Sequence, residues 1–149
     1  MIRTEKRIRF CALLIVLNLA FIWGNSLLPG EVSGAFSDWV KELLAKLLPL
    51  GPDSEGGGGL LRKIAHFSEF ALLGALLSWL FAMLQKKGYW PFAWGVLAAC
   101  VDETIQCFVP DRGPSLFDVG IDTFGVLTGM LLLIAGHSIL INPPMEERK

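Results

Sequence analysis

Four apolar runs set the limits on what this chain can become. They cover residues 10–28, 64–84, 91–109 and 116–140, and each has about the 20 residues that a helix needs to cross a bilayer. In hydrocarbon every backbone N–H and C=O must be satisfied within the protein, and a continuous apolar run meets that demand by coiling into a helix. Of the 149 residues, 53% are hydrophobic and 18% charged, whereas a soluble domain carries roughly 25% charge. The expected fold is all-α: a single integral membrane domain over residues 1–149, built as a bundle of four transmembrane helices.

The segments between the runs refine this picture. Arg3, Lys6, Arg7 and Arg9 precede the first run, as in a signal peptide. That run is too long for a simple signal core and no small-residue cleavage site follows it, so it reads as an uncleaved first span ending at Pro29-Gly30. From Phe36 to Leu48 the apolar residues Phe36, Trp39, Val40, Leu43, Leu44, Leu47 and Leu48 fall at helical spacing. This stretch is too short to span, and it predicts an amphipathic helix lying in the interface or packed on the bundle. Residues 51–59, rich in glycine, read as a flexible linker.

Lys and Arg placement sets the orientation. The basic N-terminal arm, the Lys86-Lys87 turn and the charged tail share one side, so a four-span chain in the cell membrane is expected to keep both termini in the cytoplasm. Cys11, Cys100 and Cys107 all lie in apolar runs, where an odd number argues against a disulfide framework. They read as small buried apolar residues. No basic surface or nucleic-acid motif appears, which excludes nucleic acid as a partner class.

Against this apolar background the ionisable residues inside the runs stand out. A carboxylate near the bilayer centre costs about 2.5–3.5 kcal/mol even on the lenient insertion scale, so each needs a partner, an ion, a proton or a ligand. Alternating direction places His66 and Glu69 in the outer half of the second span. Asp102, Glu103 and Gln106 fall in the last turns of the third, and Asp118 and Asp122 at the start of the fourth. Arg62, His66 and Glu69 share one helical stripe, and so do Asp102 and Gln106. Asp118 and Asp122 align with Gly125, Gly129 and Gly136, a stripe that lets a neighbouring helix approach closely and therefore faces the bundle. The expectation is one outward-opening polar pocket.

Individual residues also have plainer explanations. Ser115-x-x-Asp118 is a capping box, and Glu69 with His66 is a local i,i+3 pair. Arg62 and Lys63 would serve as lipid anchors, and His137 would meet the cytoplasmic interface. Asp122, past the cap and within the apolar run, has no such explanation.

The blocks Arg62-Lys63-x-x-His66-Phe67-x-Glu69-Phe70, Asp102-Glu103-x-x-Gln106, and Arg112 with Asp118-Val119-x-x-Asp122-x-x-Gly125 resemble the motifs of the VanZ-like family, in order and in spacing. The resemblance covers residues 62–130. It implies a small bacterial membrane protein of about four helices, in a family whose named member is associated with low-level resistance to the glycopeptide teicoplanin. The family often carries Asn where this chain has Asp122, which adds a charge to the pocket.

Several functions fit these residues. In the first, the pocket takes an anionic envelope lipid or lipid-linked cell-wall precursor. Arg62, Lys63 and Arg112 would hold its phosphate, and Glu69, Asp102 or Glu103 would act as base, acid or hydrogen-bond acceptor. If there is chemistry, it is transfer or hydrolysis at the head group, with His66 carrying the proton and Gln106, Asp118 and Asp122 completing the site. No nucleophile stands out, and no cofactor is specified. In the second, His66, Glu69, Asp102, Glu103, Asp118 and Asp122 hold a divalent ion, although no compact motif fixes the set. A proton- or ion-coupled transporter is the third; four spans without an inverted repeat are few for one, though a homo-oligomer would supply more. The fourth is an accessory membrane protein whose charges only orient its helices.

Overall fold

The computed structural model describes residues 2–35, 39, 57–86 and 88–141, with side chains over 4–35, 39, 61–86 and 88–136. Four main helices carry the fold: α1 (Ile2–Ser26), α2 (Gly57–Met83), α3 (Tyr89–Gln106) and α4 (Leu116–Ile141). Residues 30–35 add a short helical segment after α1, and no strand occurs among the described residues. Most of the expected interfacial helix over 36–48 lies outside the described residues, and so does the side chain of His137.

The boundaries follow from local chemistry. Helix α1 reaches back through the basic arm, whose Arg and Lys residues are good helix formers; Arg9 and Glu5 pair one turn apart at 3.9 Å. It stops just short of Pro29, which disfavours helical geometry in the residue before it. Helix α2 starts earlier than expected. The backbone of Gly57–Gly59 is helical, which corrects the reading of these residues as flexible linker. Each glycine costs a helix interior about 1 kcal/mol relative to alanine, a cost that the long apolar helix behind them offsets. Helix α4 ends at Ile141, immediately before Asn142-Pro143-Pro144.

Helices α1, α2 and α4 are long and apolar enough to cross a membrane. Helix α3 has 18 residues and misses that mark because its last turns hold Asp102, Glu103 and Gln106. The protein is a multi-pass membrane protein, and the helix that misses the mark is the one that carries the most buried polar residues.

Its surface and interior are arranged accordingly. Phe21, Leu72, Leu97, Leu131 and Leu132 are all more than half exposed, the pattern of faces that meet lipid. The apolar interior is small: Cys11, Ile15 and Ile22 from α1, Phe70, Leu73, Leu76 and Leu77 from α2, Ala98 and Ala99 from α3, and Val126 from α4. The most extensive contact is between α2 and α4. There a β-carbon on Gly125 would stand 2.5 Å from the Phe67 carbonyl oxygen, and one on Gly129 would overlap the carbonyl of Ala71. Close backbone approach at small residues is how helices associate where no hydrophobic force drives them together.

Two expectations need correction. Gly136 faces open space, so the close-packed part of the α4 stripe ends before it. Of the cysteines only Cys11 is buried, with its thiol directed at the Leu76 carbonyl at 3.4 Å. Cys100 and Cys107 are exposed, because they lie on the side of α3 turned away from Asp102 and Gln106.

Candidate functional site

The polar residues meet at one end of the bundle, around the start of α4. Ser115 caps that helix by accepting the Asp118 N–H on its hydroxyl at 3.2 Å, half of the expected capping box. In a complete box the acid at Asp118 would take the Ser115 N–H in return. Here Glu103 takes it, at 2.7 Å, so α3 completes the cap of α4. Asp118 is left to face Lys63 on α2 at 3.8 Å, and the same ammonium lies 4.7 Å from the centre of the Phe117 ring.

Behind this cap lies a second layer. Gln106 and Asp102 are one turn apart on α3, and the Gln106 amide donates to Asp102 Oδ2 at 2.8 Å and to the Ser26 hydroxyl at 3.3 Å. His66 on α2 presents Nδ1 to the same Asp102 oxygen at 3.8 Å, beyond hydrogen-bond range. Glu69, one turn further along, accepts the Asn25 amide at 3.2 Å. Asp102 is fully buried, Asp122 is 2% exposed, and Glu103 and Gln106 are buried as well.

The loop after α3 closes the α1 side. Gly30 donates its N–H to the Pro110 carbonyl at 3.3 Å, and Asp111 takes a left-handed backbone (φ 59°), which Asp tolerates better than most residues. Arg112 is thereby turned inward and donates to the Asn25 carbonyl at 3.3 Å. Burial, with Arg62 nearby, pushes its guanidinium below its ordinary value, while Asp102 and Glu103 pull the other way; the group stays cationic at neutral pH.

Arg62, Lys63, His66, Glu103, Gln106, Asp118, Ile121 and Asp122 line a narrow cavity. Its free volume of about 10 Å³ is on the order of one water. Of the residues expected in the site, Glu69, Asp102 and Arg112 sit behind this lining. Beside the cavity, and sharing Lys63 and Ile121 with it, an open groove of about 550 Å³ runs between α2 and α4 along Ile64, Phe67, Leu116, Phe117, Gly120 and Phe124.

Polar atoms buried without a hydrogen-bond partner concentrate in this region: His66 Nδ1, Glu69 Oε2, Asp102 Oδ1, Glu103 Oε1, Asp118 Oδ1, and Nε and Nη1 of Arg112. Buried polar groups in native proteins are nearly always satisfied by protein atoms or ordered water.

The contribution of α1 was not anticipated. Asn25 and Ser26 hold Glu69, Gln106 and Arg112, yet sequence reasoning drew the pocket from the other three helices. A signal was present. Cys11, Ile15, Asn18, Ile22 and Ser26 recur every three or four residues and are all buried, so the stripe that carries the two core-facing polar residues is the packed one.

A family model described as VanZ/LLP1 matches residues 9–140. No curated protein and no solved structure matches the chain.

Proposed function

The chain belongs to the VanZ/LLP1 family, and on that premise we propose that its polar site receives the head group of an anionic envelope lipid or lipid-linked cell-wall precursor. The observation that carries this reading is the junction at Lys63. A cavity lined by Arg62 and Lys63 adjoins an open apolar groove, and the two share Lys63 and Ile121. An amphiphile with a phosphate at one end and a hydrocarbon chain at the other has that division of chemistry. The guanidinium and ammonium groups bind phosphate, and a groove of several hundred cubic ångströms is in the range of ligand sites.

Among the described residues Arg62 makes no hydrogen bond or ion pair, and Arg112 uses one of its donors on the Asn25 carbonyl. Both therefore keep capacity for an anion. Among the described residues, apart from Asn18, Ser78 and the Trp23 indole N–H, the interior beyond the site is apolar, through Leu73, Leu76, Leu77, Ala98, Ala99 and Val126. That favours a site open at one membrane face over a transport path through the bundle. In this reading α3 is the fourth span, shielded from lipid at its polar end, both termini are cytoplasmic, and the site faces outward across the cytoplasmic membrane. Glu69, Asp102 and Glu103 supply acceptors or a general base beneath the phosphate.

Native mass spectrometry of the full chain in detergent tests this. A co-purifying anionic lipid or lipid phosphate is expected on the wild type and on Arg9→Ala, and at least tenfold less on Arg62→Ala or Arg112→Ala. Equal lipid on all four proteins would overturn the reading. Teicoplanin susceptibility of cells producing the same variants then asks whether the site has the physiological role that the family resemblance suggests.

A further inference from the structure

Deepest in the site, three helices converge on one point. A ring nitrogen of His66 from α2, a carboxylate oxygen of Asp102 from α3 and one of Asp122 from α4 all lie within 4.8 Å of one another. These are not surface acids: Asp102 is 0% and Asp122 2% exposed. Asp102 Oδ1 and His66 Nδ1 are both buried without a hydrogen-bond partner. His66 Nδ1 stands 3.8 Å from the other aspartate oxygen, Asp102 Oδ2, too far to bond.

None of the neighbouring cations pairs with the two aspartates. Lys63 faces Asp118, Arg112 donates to the Asn25 carbonyl and keeps Nε and Nη1 without a partner, and Arg62 lines the cavity. Among the described residues no Lys or Arg forms an ion pair with Asp102 or Asp122. Two buried carboxylates side by side repel one another and have lost their hydration, and a single doubly charged ion would remove both penalties.

We propose that His66, Asp102 and Asp122 bind one divalent metal ion. One imidazole with two carboxylates suits a borderline ion such as Zn²⁺ better than Mg²⁺ or Ca²⁺, which favour sets made of oxygen alone. Gln106 holds Asp102 through Oδ2 and leaves Oδ1 for the ion, the outer support that metal-binding carboxylates ordinarily have. Three protein ligands leave a further coordination position, and the small cavity that His66 and Asp122 help to line offers room for a water there. The site stands whether or not a lipid binds above it.

The test uses the full chain in detergent, stripped with a chelator and titrated with Zn²⁺, with Mn²⁺ followed by electron paramagnetic resonance, and with Co²⁺, whose visible absorption reports nitrogen and oxygen ligands. One equivalent per chain is expected, with at least tenfold weaker binding in Asp102→Asn and in Asp122→Asn. Glu31→Gln, which alters an exposed acid on the segment after α1, should bind as the wild type does. Circular dichroism confirms the helical fold of each variant beforehand; if one aspartate variant does not fold, the other and His66→Gln decide. No saturable site in the wild type would overturn the proposal. So would stoichiometric binding that survives replacement of the three ligands, or an equal loss in Glu31→Gln, which would mean diffuse attraction to acids. Lipid retention measured with chelator present, and metal binding measured after delipidation, keep this result separate from that of the lipid reading.

Discussion

Helix α4 carries two regions on one stripe, and they solve different problems. Asp118 and Asp122 begin the stripe; Gly125 and Gly129 continue it only a turn or two further on. At the glycine end the backbone of α2 comes so close that a β-carbon would meet the carbonyls of Phe67 and Ala71. At the aspartate end the bundle opens into a cavity surrounded by unpartnered polar atoms. The glycine end holds α2 and α4 in register, and that fixed geometry sets the distance between His66 and Asp122. The contrast teaches that in this fold the stability is concentrated where there is no polar chemistry, and the polar residues are positioned by packing they do not provide.

The largest expected effect comes from the glycine end. Gly129→Val should cost about 3 kcal/mol or more, the upper range for overpacking a tight interface, because the obstacle is the Ala71 backbone and not a side chain that can turn away. Thermal unfolding in detergent would report it, and a loss below about 1 kcal/mol would break the comparison. Next is Glu103→Ala, which removes the acceptor of the Ser115 N–H at the start of α4. Hydrogen bonds to a charged group contribute about 1.5–3 kcal/mol, so a loss in that range is expected, with Ser115→Ala, losing the hydroxyl cap, nearer 1 kcal/mol.

Asp122→Asn should go the other way. Asn fills the volume of the buried Asp122 carboxyl and carries no charge into a place where no described Lys or Arg pairs with it, so metal-free protein should be as stable as the wild type or more stable by about 1 kcal/mol. If that variant were instead destabilised as much as Gly129→Val, the aspartate end would be architecture and the two regions would not differ. Smallest is Lys63→Ala. Its ammonium is partly exposed, and the pair with Asp118 at 3.8 Å belongs to a class worth about 0–1 kcal/mol. A stability change under about 1 kcal/mol together with weaker lipid retention would sharpen the distinction between holding the fold and holding a ligand.

Much of the site was legible beforehand because helical periodicity and span direction are both sequence properties. Arg62, His66 and Glu69 on one stripe, and Asp102 with Gln106 on another, needed only the 3.6-residue repeat. Gly125 and Gly129 announced a close helix contact. Other features were legible only in part. Asn18, Asn25 and Ser26 are polar residues in an apolar helix, yet nothing local says that Asn25 meets Glu69 and Arg112. The capping box was visible at Ser115 and Asp118; its takeover by Glu103 was not, because the donor and acceptor are 12 residues apart across a turn whose path depends on the Gly30–Pro110 contact.

By itself, then, the sequence determined that this chain enters a membrane as helices, which faces of them turn inward, and that charges lie near one end. Those outcomes follow from hydropathy and helical geometry, which act on one segment at a time. Tertiary structure alone decided that Gln106 bridges Ser26 and Asp102, that Lys63 joins a polar cavity to an apolar groove, and that His66, Asp102 and Asp122 lie within 4.8 Å of one another. Such distances depend on how far each helix slides and rotates against its neighbours, and that is set by side-chain volumes and backbone contacts between segments far apart in the chain.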